Sequence, residues 1–358
     1  MGGSASINKP IALNRLYKSI ATGRLDLFQE AYDMLVTLEG HDRCVNYKDD
    51  DNHNRTSLMI ASIAGYTDIV SLLIKAGANV NDLDDEGHNA LMLASHKGHH
   101  EIVALLIDAK AEIDIQTSIG ETALIIAANN NHAEVIKILV KAGANCDLCT
   151  NTTNTTSTSS GGGNNAFNIV LWNGYLECAK ELYKKDLLNT KNSDGKYPLM
   201  MAAMNGHHEC VKWLRKVGAD TNITTDDGYS ALFFAANNGH LNCIEALIKG
   251  KGKADVNLKN KYGNTCLFKA LENGHIKVIQ ALINGGADVN TSNNHGITPM
   301  MQAAWSGKLE CLKYLIDRKA QLNDQDNKGT TILQLLLIIT IQLLLQLPLI
   351  LIQQEKQL

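Results

Sequence analysis

Asp84-Asp85-Glu86-Gly87-His88-Asn89-Ala90-Leu91-Met92-Leu93-Ala94-Ser95-His96-Lys97-Gly98-His99-His100-Glu101-Ile102-Val103-Ala104-Leu105-Leu106 decides how this chain folds. Leu91, Ala94 and Ser95 fall at i, i+3 and i+4, one stripe of a short helix. Gly98 ends that helix, because glycine takes a left-handed backbone without steric cost. Ile102, Val103, Leu105 and Leu106 make a second stripe, that of a returning antiparallel helix. Such a unit has a core one layer deep. It needs neighbours to cover it.

The neighbours are present. The position of Gly87 recurs at Asn54, Gly120, Gly163, Gly195, Gly228, Gly263, Gly296 and Gly329, with successive spacings of 33, 33, 43, 32, 33, 35, 33 and 33 residues. Eleven residues further on, a Gly-His-like pair recurs, as in Gly98-His99, Gly206-His207 and Gly239-His240. A third landmark closes each unit, as in Ala76-Gly77-Ala78-Asn79-Val80-Asn81 and Gly285-Gly286-Ala287-Asp288-Val289-Asn290. A fixed period near 33 residues is the signature of a stacked array. Small pairs such as Ala127-Ala128, Ala202-Ala203 and Ala303-Ala304 let adjacent helices approach closely.

With Asp84-x-x-Gly87-x-x-Ala90-Leu91-x-x-Ala94-x-x-x-Gly98-His99-x-x-Ile102-Val103-x-x-Leu106 as its core pattern, the chain resembles the ankyrin repeat family from about Ile11 to Thr331. The resemblance implies an all-α solenoid of about nine to ten stacked helix–turn–helix units with hairpin-like tips. The family's Thr-Pro-Leu-His tetrapeptide never appears whole: its histidine position holds Met59, Met92, Ile125, Met200, Phe233, Phe268 and Met301. Apolar packing is expected to replace the bonds that histidine supplies.

The expected organisation is a tail over 1–10, the repeat array over 11–331 and an apolar segment over 332–358. Within the array, 150–165 is an Asn/Thr/Ser/Gly insertion that explains the 43-residue spacing as ten extra residues, a flexible finger with nothing to bury. The unit around Phe167 and Trp172 lacks the small pair and is expected to be the least regular. Ile332–Ile352 is a run of 21 residues of which 16 are Leu or Ile. As a helix it would reach about 31 Å, enough for a bilayer core. It is either a last helix pair of the stack, a degenerate tail or a membrane anchor. Met1-Gly2-Gly3-Ser4-Ala5-Ser6 also fits the N-myristoylation pattern.

Composition narrows the function. A net charge of −4, from 33 Lys and Arg against 37 Asp and Glu, supplies no basic footprint for nucleic acid. Eight cysteines in 358 residues are too few for a disulfide scaffold. No apolar segment follows Met1, so a reducing, cytoplasmic compartment is expected, with membrane association as the alternative.

No catalytic constellation stands out. Cys178, Cys210, Cys243 and Cys311 share a repeat position held elsewhere by Ile69, Ile102, Val135 and Val278, so they pack as small hydrophobes. Cys146-x-x-Cys149 has ligand-like spacing but no second pair nearby to complete a zinc site. Lys249-Gly-Lys-Gly-Lys253 lacks the spacing of a phosphate loop and coincides with the two extra residues of the 35-residue interval. His99, His132, His207, His240 and His275 sit regularly at the inter-helix turn, with no nucleophile or paired carboxylate beside them. No enzyme, cofactor, metal site or small-molecule substrate is therefore expected.

A protein partner is what remains. The resemblance implies binding along a concave face made of tips and first helices. The two positions after the small pair are not needed for packing, and four of them carry large apolar groups: Ile63, Trp172, Met204 and Trp305. With His96 in the same row, and Asp85 and Lys261 at tips of opposite charge, these are the candidate partner-binding residues. The expected role is a non-enzymatic scaffold or adaptor. The rival expectations are a membrane-tethered adaptor with its stack facing the cytosol, and a regulatory subunit acting on an enzyme in trans.

Overall fold

The computed structural model describes residues 15–16, 18–20, 22–39, 45–49, 52–151 and 163–337. The insertion expected to be flexible falls mostly outside them, at 152–162, as does the apolar run after Leu337.

Nearly all the regular structure is helical. Helix α1 spans Leu25–Glu39. A two-stranded antiparallel ribbon follows, β1 Lys48–Asp49 paired with β2 Arg55–Thr56. The helix pairs then come in order: α2 Ser57–Ala64 and α3 Thr67–Lys75, α4 Ala90–Lys97 and α5 His100–Asp108, α6 Ala123–Asn129 and α7 Ala133–Lys141. Next are α8 Ala166–Asn173 and α9 Leu176–Glu181, α10 Pro198–Met204 and α11 His208–Lys216, α12 Ala231–Asn237 and α13 Leu241–Ile248. The last are α14 Cys266–Asn273 and α15 Ile276–Asn284, then α16 Pro299–Trp305 and α17 Leu309–Asp317. A further first helix begins over 332–337. Eight pairs among the described residues, flanked by partial units, agree with the repeat count read from the period.

The described residues fall into two compact units. The first holds the chain up to Val170 with Tyr175–Lys185 and Asn192–Asp194; the second holds Leu171–Gly174, Asp186–Lys191 and everything from Gly195. In the first unit α2, α4 and α6 pack side by side, as do α10, α12, α14 and α16 in the second. Second helices pack likewise on their own row, α3 to α5 to α7 and α11 to α13 to α15.

Six of the eight first helices start on a side-chain cap; those beginning at Pro198 and Cys266 do not. Thr56, Asn89, Thr122, Asn165, Ser230 and Thr298 accept from the backbone N–H three residues on, satisfying a donor that the helix leaves unpaired. Those N–H groups belong to the row where the family carries histidine. Its side chains here are the apolar replacements expected: Met59, Met92, Ile125, Met200, Phe233, Phe268 and Met301 are all at most 5% exposed. The cysteines aligned with Ile and Val are buried too, and burial pushes the Cys178 thiol up to about 11 and the Cys243 thiol up to about 12. They pack as hydrophobes.

The tips close by one device. Asp84 Oδ1 accepts from the N–H groups of Glu86 and His88, and Asn260, Asn293 and Asp326 do the same two and four residues on. At the insertion, Thr150 and Gly163–Asn164 pair by two backbone bonds, each 3.1 Å. The inserted residues therefore leave and return at one closed tip.

Candidate protein-binding surface

The histidines at the inter-helix turns join one repeat to the next. His99 Nε2 lies 3.0 Å from Ile63 O, and His132 Nε2 lies 3.0 Å from His96 O. In the second unit His207 reaches Trp172 O at 2.8 Å, His240 reaches Met204 O at 2.9 Å and His275 reaches Asn237 O at 3.0 Å. Each ring also covers the preceding unit's turn glycine. A Cβ on Gly98 would sit 2.6 Å from His132 Nδ1, and the Gly98 backbone has φ +78°. Both the left-handed backbone and the histidine demand glycine there.

A second ladder runs through the unit ends. Asn46, Asn81 and Asp114 each accept from the backbone N–H of the following repeat, at Asn79, Glu112 and Asn145. Asn189, Asn222, Asn257 and Asn290 do so for Asp220, Asp255, Asp288 and Gln321. The asparagines after the small pair are structural as well. Asn130 and Asn205 donate to carbonyls of their own helix, while Asn238 and Asn273 donate to Met204 O and Asn237 O of the preceding repeat.

Against this background the candidate binding residues separate. Trp305 is 63% exposed at the end of α16, and Leu309 beside the same turn is 62% exposed. Ile63, Trp172 and Met204 are only half-buried, each lodged partly against its surroundings rather than standing free. Ile63 and His96 occupy adjacent repeats of the first unit, and Trp172 and Met204 adjacent repeats of the second. Trp305 lies three repeats beyond Met204, and Lys261 sits apart at a tip.

The tip charges are already engaged. Asp85 accepts from Asn54 Nδ2 at 2.7 Å, and Lys261 pairs with Asp227 and lies 5.1 Å from the Tyr262 ring centre. His96 is exposed, and partial burial, then Lys97, His132 and His88, hold its pKa below the usual imidazole value, so it stays neutral near pH 7. Glu121 faces the same region of the first unit. Burial pushes its carboxyl up against the opposing pull of His88, and Asn129 Nδ2 donates to it at 3.4 Å. In the second unit Tyr229 tilts against Phe233 and Phe234 at 4.7 and 6.0 Å, leaving a half-buried aromatic group at that tip.

One cluster has metal-ligand chemistry: Asp84, Glu86 and His88 offer atoms within 4.8 Å of one another. Asp84 Oδ2 accepts from Arg55 Nε at 3.0 Å and Oδ1 from two backbone N–H groups. A cation there would have to displace the guanidinium. The Cys146 and Cys149 thiols donate to separate carbonyls, those of Ala144 and Asp147, and burial raises both. In the Lys249–Lys253 loop, Arg215 gathers the carbonyls of Ala246, Lys249, Lys251 and Gly252. That loop turns oxygens inward onto a cation, the opposite of an anion cradle.

The model for ankyrin repeats (3 copies) matches residues 20–117, 109–188, 167–260 and 251–326. The chain belongs to the ankyrin repeat family. The crystal structure of the human ASB11 ankyrin repeat domain aligns with it at a TM-score of 0.56 and 22% identity, covering 65% of this chain and 99% of that one. That likeness concerns the fold alone. No curated protein matches the chain. Ankyrin repeats are protein–protein interaction domains, and the family is generally non-enzymatic.

Proposed function

We propose that this protein is a scaffold or adaptor that binds a partner protein through the face bearing its tips and first helices. The exposure of Trp305 supports this reading. Histidine, asparagine and cysteine side chains are absorbed into repeat-to-repeat contacts, whereas a 63% exposed indole on a first helix is unexplained by packing. Large aromatic groups of this kind anchor protein interfaces. Ile63, His96, Trp172 and Met204 extend the surface, with Asp85 and Lys261 at its tips.

The regular use of histidine also favours binding over catalysis. Each of the five turn imidazoles is fixed to a carbonyl, and the cysteines at the shared second-helix position are buried, with the Cys178 and Cys243 thiols raised. Among the described residues no helix is long and apolar enough to cross a membrane.

Affinity capture from the native cell with the full chain and with Trp305→Ala tests the proposal. The variant is expected to keep its helicity while capture of specific partners falls at least ~10-fold, the effect of losing one anchor of about 2 kcal/mol. Equal capture by both chains would refute Trp305 as the anchor.

A further inference from the structure

One groove between second helices departs twice from the repeat pattern, and both departures favour an anion. His208, Lys212 and Arg215 of α11 and Asn242, Glu245 and Lys249 of α13 line a cavity of about 430 Å³. Arg215 stands nine residues after the turn glycine Gly206, a place that is aliphatic in six other repeats: Ile74, Ile107, Val140, Ile248, Ile283 and Ile316. Asn242 stands three residues after Gly239, a place that six other repeats give to an acid: Asp68, Glu101, Glu134, Glu177, Glu209 and Glu310. One groove has gained a cation and lost a carboxylate. The guanidinium is held there without being neutralised. It donates to the carbonyls of Ala246, Lys249, Lys251 and Gly252, none of them an anion. Its buried Nε has no acceptor, and burial draws its pKa below the ordinary guanidinium value.

We propose that the groove between α11 and α13 binds a phosphate monoester, its oxygens taken by Arg215, Lys212 and Lys249. Charge carries the assignment. Counting histidine as neutral, Lys212, Arg215 and Lys249 against Glu245 leave the lining at a net +2. A phosphate monoester matches this with roughly −1.5 to −2 near pH 7, whereas a carboxylate brings a single charge. Lys212 and Lys249 hold exposed pairs with Glu209 and Glu245 at 2.7 and 3.1 Å. Pairs of that kind are weak, so a dianion can draw both ammonium groups to itself. The cavity lies within the range of small-ligand sites, roughly 300–1,000 Å³, which leaves room for the organic part of the ester. The 249–253 loop is not itself the site, because its carbonyls are spent on Arg215. What that loop supplies is a guanidinium already fixed in place. The groove belongs to the row of second helices, so it is separate from the face proposed for the partner protein.

An amide-resolved NMR titration of the full chain tests this, with N-acetyl-phosphoserine amide and glycerol 3-phosphate as probes. Inorganic phosphate, acetate and N-acetylserine amide serve as comparisons at matched ionic strength. Both esters are expected to give saturable shifts at amides of 208–215 and 242–253, and the tighter of the two shows whether a protein side chain or a small molecule bears the phosphate. Acetate should bind at least ~10-fold more weakly than either ester. Asn242→Glu restores the acid that six repeats carry in the first turn, where the helix dipole welcomes it. It should therefore keep the parent's thermal melt while weakening ester binding at least ~10-fold through like charge. If its melt falls, the double variant Lys212→Ala/Lys249→Ala decides instead, with the same loss of binding expected. Absence of saturable shifts in the groove, acetate or inorganic phosphate binding as tightly as the esters, or full binding in a folded Asn242→Glu chain would each overturn the proposal.

Discussion

Gly98 and His132 show how much of this fold rests on single atoms. The glycine has φ +78°, and its missing Cβ leaves room for the imidazole that reaches back to His96 O. Gly98→Ala should lose about 1–2 kcal/mol to the left-handed backbone and roughly 1 kcal/mol more as His132 is pushed off its carbonyl. Gly77 has φ +81° with nothing within 4 Å, so Gly77→Ala should show the backbone loss alone. Urea denaturation of both variants, repeated with His132→Ala, separates the two effects. In that background Gly98→Ala should match Gly77→Ala. At Asp84 burial raises the carboxyl pKa, but the His88 N–H, the Arg55 guanidinium, the His88 ring and the Glu86 N–H outweigh it, and the net value lies below the ordinary 3.8. A lowered folded value means stability that is present above pH 3.8 and lost as pH falls through the lower folded value. Acid unfolding of the first unit should therefore be blunted in Asp84→Asn. Arg55→Ala should remove about 1.5–3 kcal/mol near neutrality, the range for a bond to a charged group. An unchanged acid limb in Asp84→Asn would remove the carboxylate from the account.

Among the elements, the tip at Thr150 offers the clearest test. In regular tips two residues separate the closing residue from the glycine whose N–H donates to its backbone carbonyl, as Asp226 and Asp227 do between Thr225 and Gly228. Deleting 153–162 leaves Asn151 and Thr152 between Thr150 and Gly163 and restores the 43-residue interval to 33. The deletion should leave the melting temperature unchanged or raised, since cutting twelve residues to two lowers the closure cost by roughly 1.6 kcal/mol at about 0.6 kcal/mol per halving. A clear drop in the thermal melt would mean that inserted residues pack on the fold. The sequence exposed this tip through its spacing, and it exposed both helices of each repeat through their stripes and the terminating glycine. It did not reveal Arg215, because nothing in Trp213-Leu214-Arg215 announces carbonyls 31 to 37 residues downstream. The asparagine ladder was hidden for the same reason: Asn222 looks like a turn residue until Asp255 arrives to donate to it. Local patterns encode a repeat's own helices, whereas its joints lie one period away.

For the molecule as a whole, the two tryptophans should part company. Trp172 is half-buried, so Trp172→Ala should lower the melting temperature of the second unit through lost side-chain packing, while its backbone carbonyl still holds His207. Trp305 is exposed, and Trp305→Ala should leave the melt within about 0.5 kcal/mol of the parent while weakening capture. Both variants in one thermal-melt and capture series check this; the reverse pattern would exchange core for surface. Exposure was the part of the surface that sequence could not settle, because Ile63, Trp172, Met204 and Trp305 share a row yet differ in what their neighbours cover. The two ladders have a bearing on how such a chain lengthens. Most units offer an amide or carboxylate oxygen forward, and five reach backward with a histidine nitrogen, so the two sides of a unit are unlike and each fits the other. A duplicate of 87–119 placed after Ile119 would find Asn81's kind of acceptor before it and His132's kind of ring after it. Growth by whole periods preserves every joint, while a shift of one residue would misalign both ladders at once.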